Sequence, residues 1–124
     1  MSEYPKRVPK PWGYEIWWAR TDRYVGKILH VNAGAALSLQ YHNVKDETIM
    51  VQSGRLLFET RGKDEPGDLV RAELGPGDVF HITPGTLHRM TGITDCDLVE
   101  VSTPELDDVV RLEDRYGREG TTKP

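Results

Sequence analysis

Nine short runs rich in β-branched, aromatic and aliphatic residues follow one another along this chain, each cut off by Gly, Pro, Asn or Asp. They are "YEIWWA", "VGKILHV", "ALSLQYH", "TIMVQS", "RLLFET", "LVRAEL", "DVFHI", "HRMTGI" and "LVEVS". Helical periodicity is nearly absent, and strands at such regular spacing close into a β-sandwich or barrel. The breaks carry turn chemistry of their own. "SG" at 53–54 predicts a tight hairpin, "RGKDEPGD" a longer polar turn, and "GPGD" and "TPG" two further reversals. Only "PELDDVVRLEDRYGR" (104–118) is compatible with a helical turn, with Pro104 near its start. The last residues, 119–124, read as a mobile tail. A chain of 124 residues makes one domain, 1–124, that buries about two-thirds of its unfolded surface.

Charge and composition narrow the function classes. Sixteen Lys and Arg stand against twenty Asp and Glu, a net charge of −4 with no basic stripe, which argues against a nucleic-acid partner. Cys96 is alone, so neither an internal disulfide nor a CxxC zinc site can form. No apolar run approaches the ~18 residues of a membrane span. "MSEYPKRVPKPWG" lacks the apolar stretch of a signal peptide, and the expected location is the cytoplasm.

Against this plain background, "LSLQYHNVKDETIMVQSG" (37–54) stands out. A strand sends alternate residues to one face, so Gln40 and His42 point together, away from Leu39 and Tyr41. If that face is interior, these polar groups and Glu47 need partners, because an unpaired buried polar group costs kilocalories. The spacing Gly34-x5-Gln40-x-His42-x4-Glu47-x6-Gly54 is followed by Gly77-x7-Gly85-x2-His88, which adds a second imidazole. Imidazole, carboxylate and amide oxygen suit a divalent ion, Zn first among Zn, Mn, Fe, Co and Ni. Three or four such ligands leave a position for water or substrate. A ligand imidazole must be deprotonated, so affinity is expected to fall below about pH 6.

The two blocks resemble the paired motifs of the cupins, with Gln40 where the first His of that pattern often stands. The resemblance implies a small double-stranded β-helix, or jelly-roll, barrel with a metal or ligand inside, and Gln40, His42, Glu47 and His88 as the metal ligands. "KPWGYE" (10–15), Lys27 before "ILHVNAG", "LSLQYH", "PGTLHR" and "DDVVRLEDRYGR" look like the cupin domain of type II mannose-6-phosphate isomerases. That domain often forms the C-terminal part of a fusion with a GDP-mannose pyrophosphorylase. The likeness covers roughly residues 10–118. It departs from the family's pattern at Asn43, Val44, Thr48 and Ile49 and at "STPEL" (102–106).

What the resemblance implies is an aldose–ketose isomerase that moves a proton between C1 and C2 of a sugar phosphate. Such chemistry needs a proton-transfer group and a cation for the phosphate. Lys27 (also a catalytic candidate), Arg89 and Arg111 are the basic candidates, although Asp107, Asp108, Glu113 and Asp114 predict an ion-paired surface position for Arg111. Glu100, between two valines, and His81 in "DVFHITP" are the candidate bases, while His30 reads as structural. Trp12, Tyr14, Trp17 and Trp18 belong to the core, except that Trp17 and Trp18 cannot share a face. One of them therefore lies outside, and a homodimer is the expected way of covering it. Two other functions fit the same residues: a non-catalytic cupin binding a sugar or small acid, and a metal-dependent dioxygenase.

Overall fold

Each of the nine runs forms a strand, and three more strands come from the two ends of the chain. The computed structural model describes residues 3–122. In order they are β1 (Lys6–Lys10), β2 (Gly13–Arg20), β3 (Val25–Val31), β4 (Leu39–Tyr41), β5 (Glu47–Ser53), β6 (Leu56–Gly62), β7 (Val70–Leu74), β8 (Val79–Ile82), β9 (Thr86–Gly92), β10 (Cys96–Ser102), β11 (Val109–Glu113) and β12 (Gly120–Thr122). They build two antiparallel sheets, ordered β1-β2-β3-β10-β5-β8 and β12-β11-β4-β9-β6-β7. The result is an all-β single domain. No helix among the described residues is long and apolar enough to cross a membrane.

Three local expectations are corrected. Ser53–Gly54 closes no hairpin, because β5 and β6 lie in different sheets and the turn carries the chain across a corner. "GPGD" likewise joins β7 in one sheet to β8 in the other, whereas "RGKDEPGD" does link two paired strands, β6 and β7. The stretch 104–118 holds no helix: Val109, Val110 and Arg111 continue the second sheet as β11, paired to β4. β-Branched Val109–Val110 beside an open strand edge favours the ladder over a helical turn. The tail is not free either, since Gly120–Thr122 pairs with β11 from Arg111 back to Val109, and the last two residues lie outside the described ones.

Inward side chains change character at one level of the barrel. On β3 the inner series runs Lys27, Leu29, Val31; on β5, Glu47, Ile49, Val51; on β10, Glu100, Leu98, Cys96; on β9, His88, Met90, Gly92. Register aligns the changes: Lys27 lies across from Glu100, and Leu98 sits between Leu29 and Val51. One end is therefore an apolar plug of Leu29, Ile49, Leu56, Phe58, Ile82 and Leu98 with Trp12. The other end is polar and buried. Trp17, Val25 and Leu106 form a smaller apolar cluster beside it. Trp17 is buried, while Trp18 is 46% exposed and lays its ring against Gly26, where a Cβ would meet ring carbons at 2.6 Å. His30 lies on the outer face, away from the polar end, with Nδ1 2.8 Å from Asp97 and its ring stacked on Tyr14.

Candidate metal centre and its cavity

His42 follows the end of β4, and Asp108 holds it there. The His42 Nδ1 donates to the Asp108 carbonyl at 2.5 Å. The Asp108 carboxylate accepts the backbone N–H groups of Asn43, Val44 and Lys45 at 3.0, 2.6 and 2.9 Å. Partial burial alone would raise that carboxyl's pKa, but the three N–H donors outweigh it and hold it low. His88, on β9, donates Nδ1 to the Thr86 carbonyl at 3.0 Å. In both rings the Nδ1 proton is thus committed to the backbone, which leaves Nε2 as the acceptor nitrogen, the usual posture of a ligating imidazole.

Glu47 opens β5 and completes the set. Its Oε2 lies 3.5 Å from His42 Nε2, its Oε1 4.0 Å from His88 Nε2, and one donor atom from each residue fits within a 4.8 Å span. The rings stand 5.2 Å apart, centre to centre. His42 Nε2 and Glu47 Oε2 are buried without a well-aligned hydrogen-bond partner in the protein. Two nitrogens and an oxygen with no thiolate fit a divalent ion, and such an ion would satisfy His42 Nε2 and share Glu47 with the neighbouring Lys45. Gln40 lies directly across from His88. In the orientation present, its Oε1 accepts from Ser38 at 2.6 Å and its Nε2 is 3.5 Å from His88 Nε2. It adds an amide oxygen to the set only after a flip that breaks the Ser38 bond.

Lys45 ties this cluster to Glu100. Its Nζ sits 3.0 Å from Glu47 Oε2, an ion pair, and 3.4 Å from Glu100 Oε2. Burial opposes charge on Lys45, but Glu100 and Glu47 outweigh it and hold its pKa above the ordinary lysine value. The same attraction, with His88 and His42, overcomes the burial of Glu47 and lowers its carboxyl to about 2. Glu100 goes the other way: burial, reinforced by the Glu47 charge, raises it against the pull of Lys45. Burial also lowers the His88 imidazole to about 4, so it is neutral at physiological pH.

A cavity opens from this cluster towards β2, β3 and β11. Its charged walls stand close together and leave about 50 Å³ for solvent. Of the residues singled out from the sequence, Lys27, Gln40, His42, Glu47, Glu100 and Arg111 line it. Lys27 is buried, with Nζ 3.2 Å from Glu15. Arg111 is buried as well, which overturns its reading as an ion-paired surface side chain. Alternation along β11 decides this: Val109 and Arg111 face in and Leu112 is exposed, while a register shift after Arg111 turns Glu113 out as well.

Two candidates lie elsewhere. Arg89 neighbours His88 on β9 and so faces outward, where it pairs with Glu59 at 2.9 Å and Glu113 at 3.2 Å. His81 is exposed on the outer side of β8, its Nε2 2.5 Å from Asp46 Oδ1. Neither reaches the cavity, because strand alternation turns both away from it. Four charged wall residues, Lys10, Glu15, Lys45 and Arg118, were not identified from the sequence. Lys45 had a signal there: at two residues before Glu47, an extended chain turns it to the same face.

Comparison with known proteins agrees with this architecture. A family model described as "Cupin domain" matches residues 27–102, leaving Lys10, Glu15, Arg111 and Arg118 outside the matched span. The chain is 34% identical over 118 residues to the mannose-1-phosphate guanylyltransferase ManC of Salmonella typhimurium, covering 91% of this chain and 23% of that protein. It is 34% identical over 122 residues to the xanthan biosynthesis protein XanB of Xanthomonas campestris, covering 94% and 25%. The chain thus spans about a quarter of the length of these relatives. Among solved structures, KdgF from Halomonas sp. superposes with a TM-score of 0.70 at 19% identity, covering 85% of this chain and 93% of that one. Oxalate decarboxylase from Bacillus subtilis gives 0.74 at 15%, covering 88% and 30%. At these identities the two structures speak for the fold alone.

Proposed function

The chain belongs to the cupin family, and from that premise we propose that it is a metal-dependent sugar-phosphate isomerase of the mannose-6-phosphate type. The observation that carries the reading is the convergence of His42, Glu47 and His88, of which His42 and Glu47 also line a cavity that holds Glu100. Support comes too from the relatives, whose names place them in mannose-1-phosphate and xanthan metabolism. Residues His42, Glu47 and His88 would hold the ion, with Gln40 joining after an amide flip. When bound, a divalent ion supplies Lewis acidity to the oxygens of an open-chain sugar, zinc being the first choice for this donor set.

The protein's own residues supply the rest. Glu100 carries the proton between C1 and C2. Its raised pKa lets it hold a proton nearer neutral pH than an exposed carboxylate does. Lys45, locked between Glu100 and Glu47, fixes the distance from the proton carrier to the ligand cluster. Lys27 does not move a proton in this scheme. Paired to Glu15 and set over the Trp17 ring at 4.9 Å, it orients a sugar hydroxyl. The quaternary part of the proposal is a homodimer.

The test is conversion of mannose-6-phosphate to fructose-6-phosphate by chelator-treated protein before and after addition of Zn, Mn or Co. Activity should vanish with chelation and return with metal. His42→Ala should lose stoichiometric metal. Glu100→Gln should keep its metal and lose turnover by two or more orders of magnitude, the usual scale for a proton-transfer group, ~10²–10⁴. Fully metallated protein that converts no sugar phosphate would sink the isomerase reading.

A further inference from the structure

The cavity is positive inside an acidic protein. Among the described residues lining it, Lys10, Lys27, Lys45, Arg111 and Arg118 face Glu15, Glu47 and Glu100, an excess of two positive charges in a chain of net charge −4. Three of the cations have carboxylate partners: Lys27 has Glu15, Lys45 has Glu47 and Glu100, and Arg118 is held by Asp114 at 2.8 and 3.2 Å. Arg111 is different. It is 6% exposed, and its Nε and Nη1 are buried with no protein hydrogen-bond partner. A guanidinium carries five donors in a fixed fork, so leaving two of them buried and unpaired is expensive for the fold. Lys10, half-buried on β1, adds a second charge to the same wall.

Register fixes where this group stands. Gln40 on β4 is directly opposite His88 on one side and Arg111 on the other, so the three side chains share the inner face in a row. With strands about 4.8 Å apart, Arg111 and His88 start roughly 10 Å from each other. That separation is comparable with the length of an extended six-carbon chain that carries a terminal phosphate.

We propose that Arg111, assisted by Lys10, is the seat for the terminal phosphate of the substrate, one strand beyond Gln40 from the ligand cluster. The role deepens the isomerase reading and takes its sugar-phosphate substrate class from it, but the anion seat itself needs neither the metal nor turnover. A phosphate matches the guanidinium fork in two hydrogen bonds and neutralises the positive wall. Arg118, clamped by Asp114, supports the field without reaching for the ligand. Arg89, the other arginine of the sequence pattern, faces the opposite side of the sheet and takes no part.

Calorimetric titration of inorganic phosphate into chelator-stripped protein tests this directly. The parent protein should bind one phosphate per chain. Arg111→Met, which keeps volume and removes the charge, should weaken binding at least ~tenfold, and Lys10→Gln severalfold. His42→Ala should bind phosphate like the parent, which separates failure of the metal site from failure of the anion seat. Arg111→Met should also melt at the parent temperature or above it, because an unpaired buried charge has been removed. If that variant does not fold, Lys10→Gln carries the test. Parent-like phosphate affinity in the folded variants overturns the proposal, and so does phosphate binding that disappears with the metal.

Discussion

His88 shows at a single residue how burial sets up ligand chemistry. Burial is the main reason that its imidazole is lowered from 6.5 to about 4; the Glu47 charge opposes the shift, and the nearby His42 adds to it. Between those values the unfolded chain takes up a proton that the folded, metal-free chain does not. The stability linked to His88 is therefore complete above about pH 6.5 and is lost as pH falls towards about 4. A His88→Gln variant lacks that loss. For chelator-stripped proteins, the difference in Tm between parent and variant should shrink between about pH 7 and about pH 4.5, and a constant difference would refute the argument. Burial also carries neutral His88 further into acid than the sequence suggests, so its contribution to metal affinity should persist below pH 6. What the sequence made legible at this scale was whatever alternation and spacing decide: His42 with Gln40, Glu47 after them, and His88 beyond the second glycine block. Arg111 was not legible, because its acidic neighbours in the chain are not its neighbours in space.

At the scale of strands and turns, every β-rich run in the sequence is a strand, while the connections are ambiguous in sequence where two geometries ask for the same residue. Gly54 has φ of +88°, which a hairpin turn would also demand. Only the sheet assignment shows that it turns a corner between layers. The corner is tight: a Cβ on Gly54 would lie 2.1 Å from the Asp95 carbonyl oxygen and 2.9 Å from the Cys96 Cα. Both obstacles are backbone, so Gly54→Ala must push the corner apart as well as adopt a left-handed conformation. We expect a loss of about 2–4 kcal/mol in urea unfolding, well above the ~1 kcal/mol that a simple positive-φ penalty brings. A loss under ~0.5 kcal/mol would mean that the corner relaxes freely. Cys96, one residue away on β10, is buried in the plug, so the damage should register as lost stability with the polar end of the barrel intact. The C-terminal strands are hard to read from sequence for a related reason. β11 and β12 have little pattern of their own and exist because β4 offers them an edge.

Across the whole molecule, the two faces of the first sheet have opposite characters. The inner face carries the plug and half the cavity. On the outer face, Ile16, Ile28, Val99, Met50 and Val79 lie side by side on five adjacent strands, joined by the register Ile16–Ile28–Val99–Met50–Val79. Met50 is 40% exposed and Val79 59%, and Val101 and Trp18 extend the apolar surface beyond the row. With strands ~4.8 Å apart the row runs for nearly 20 Å, which is long for a solvated β-surface. A second copy turned by a two-fold axis would meet it with an identical row, the isologous arrangement that a closed dimer needs. Light scattering at micromolar concentration should therefore give twice the mass of the chain. Val99→Lys should give monomers, because it sets two like charges close to the centre of the interface. Val99 faces away from Leu98 and Glu100, so the monomeric variant should keep the parent's metal content and phosphate affinity. A parent protein that is monomeric at high micromolar concentration would rule out this interface, and loss of metal in Val99→Lys would show that the two faces of the sheet are coupled.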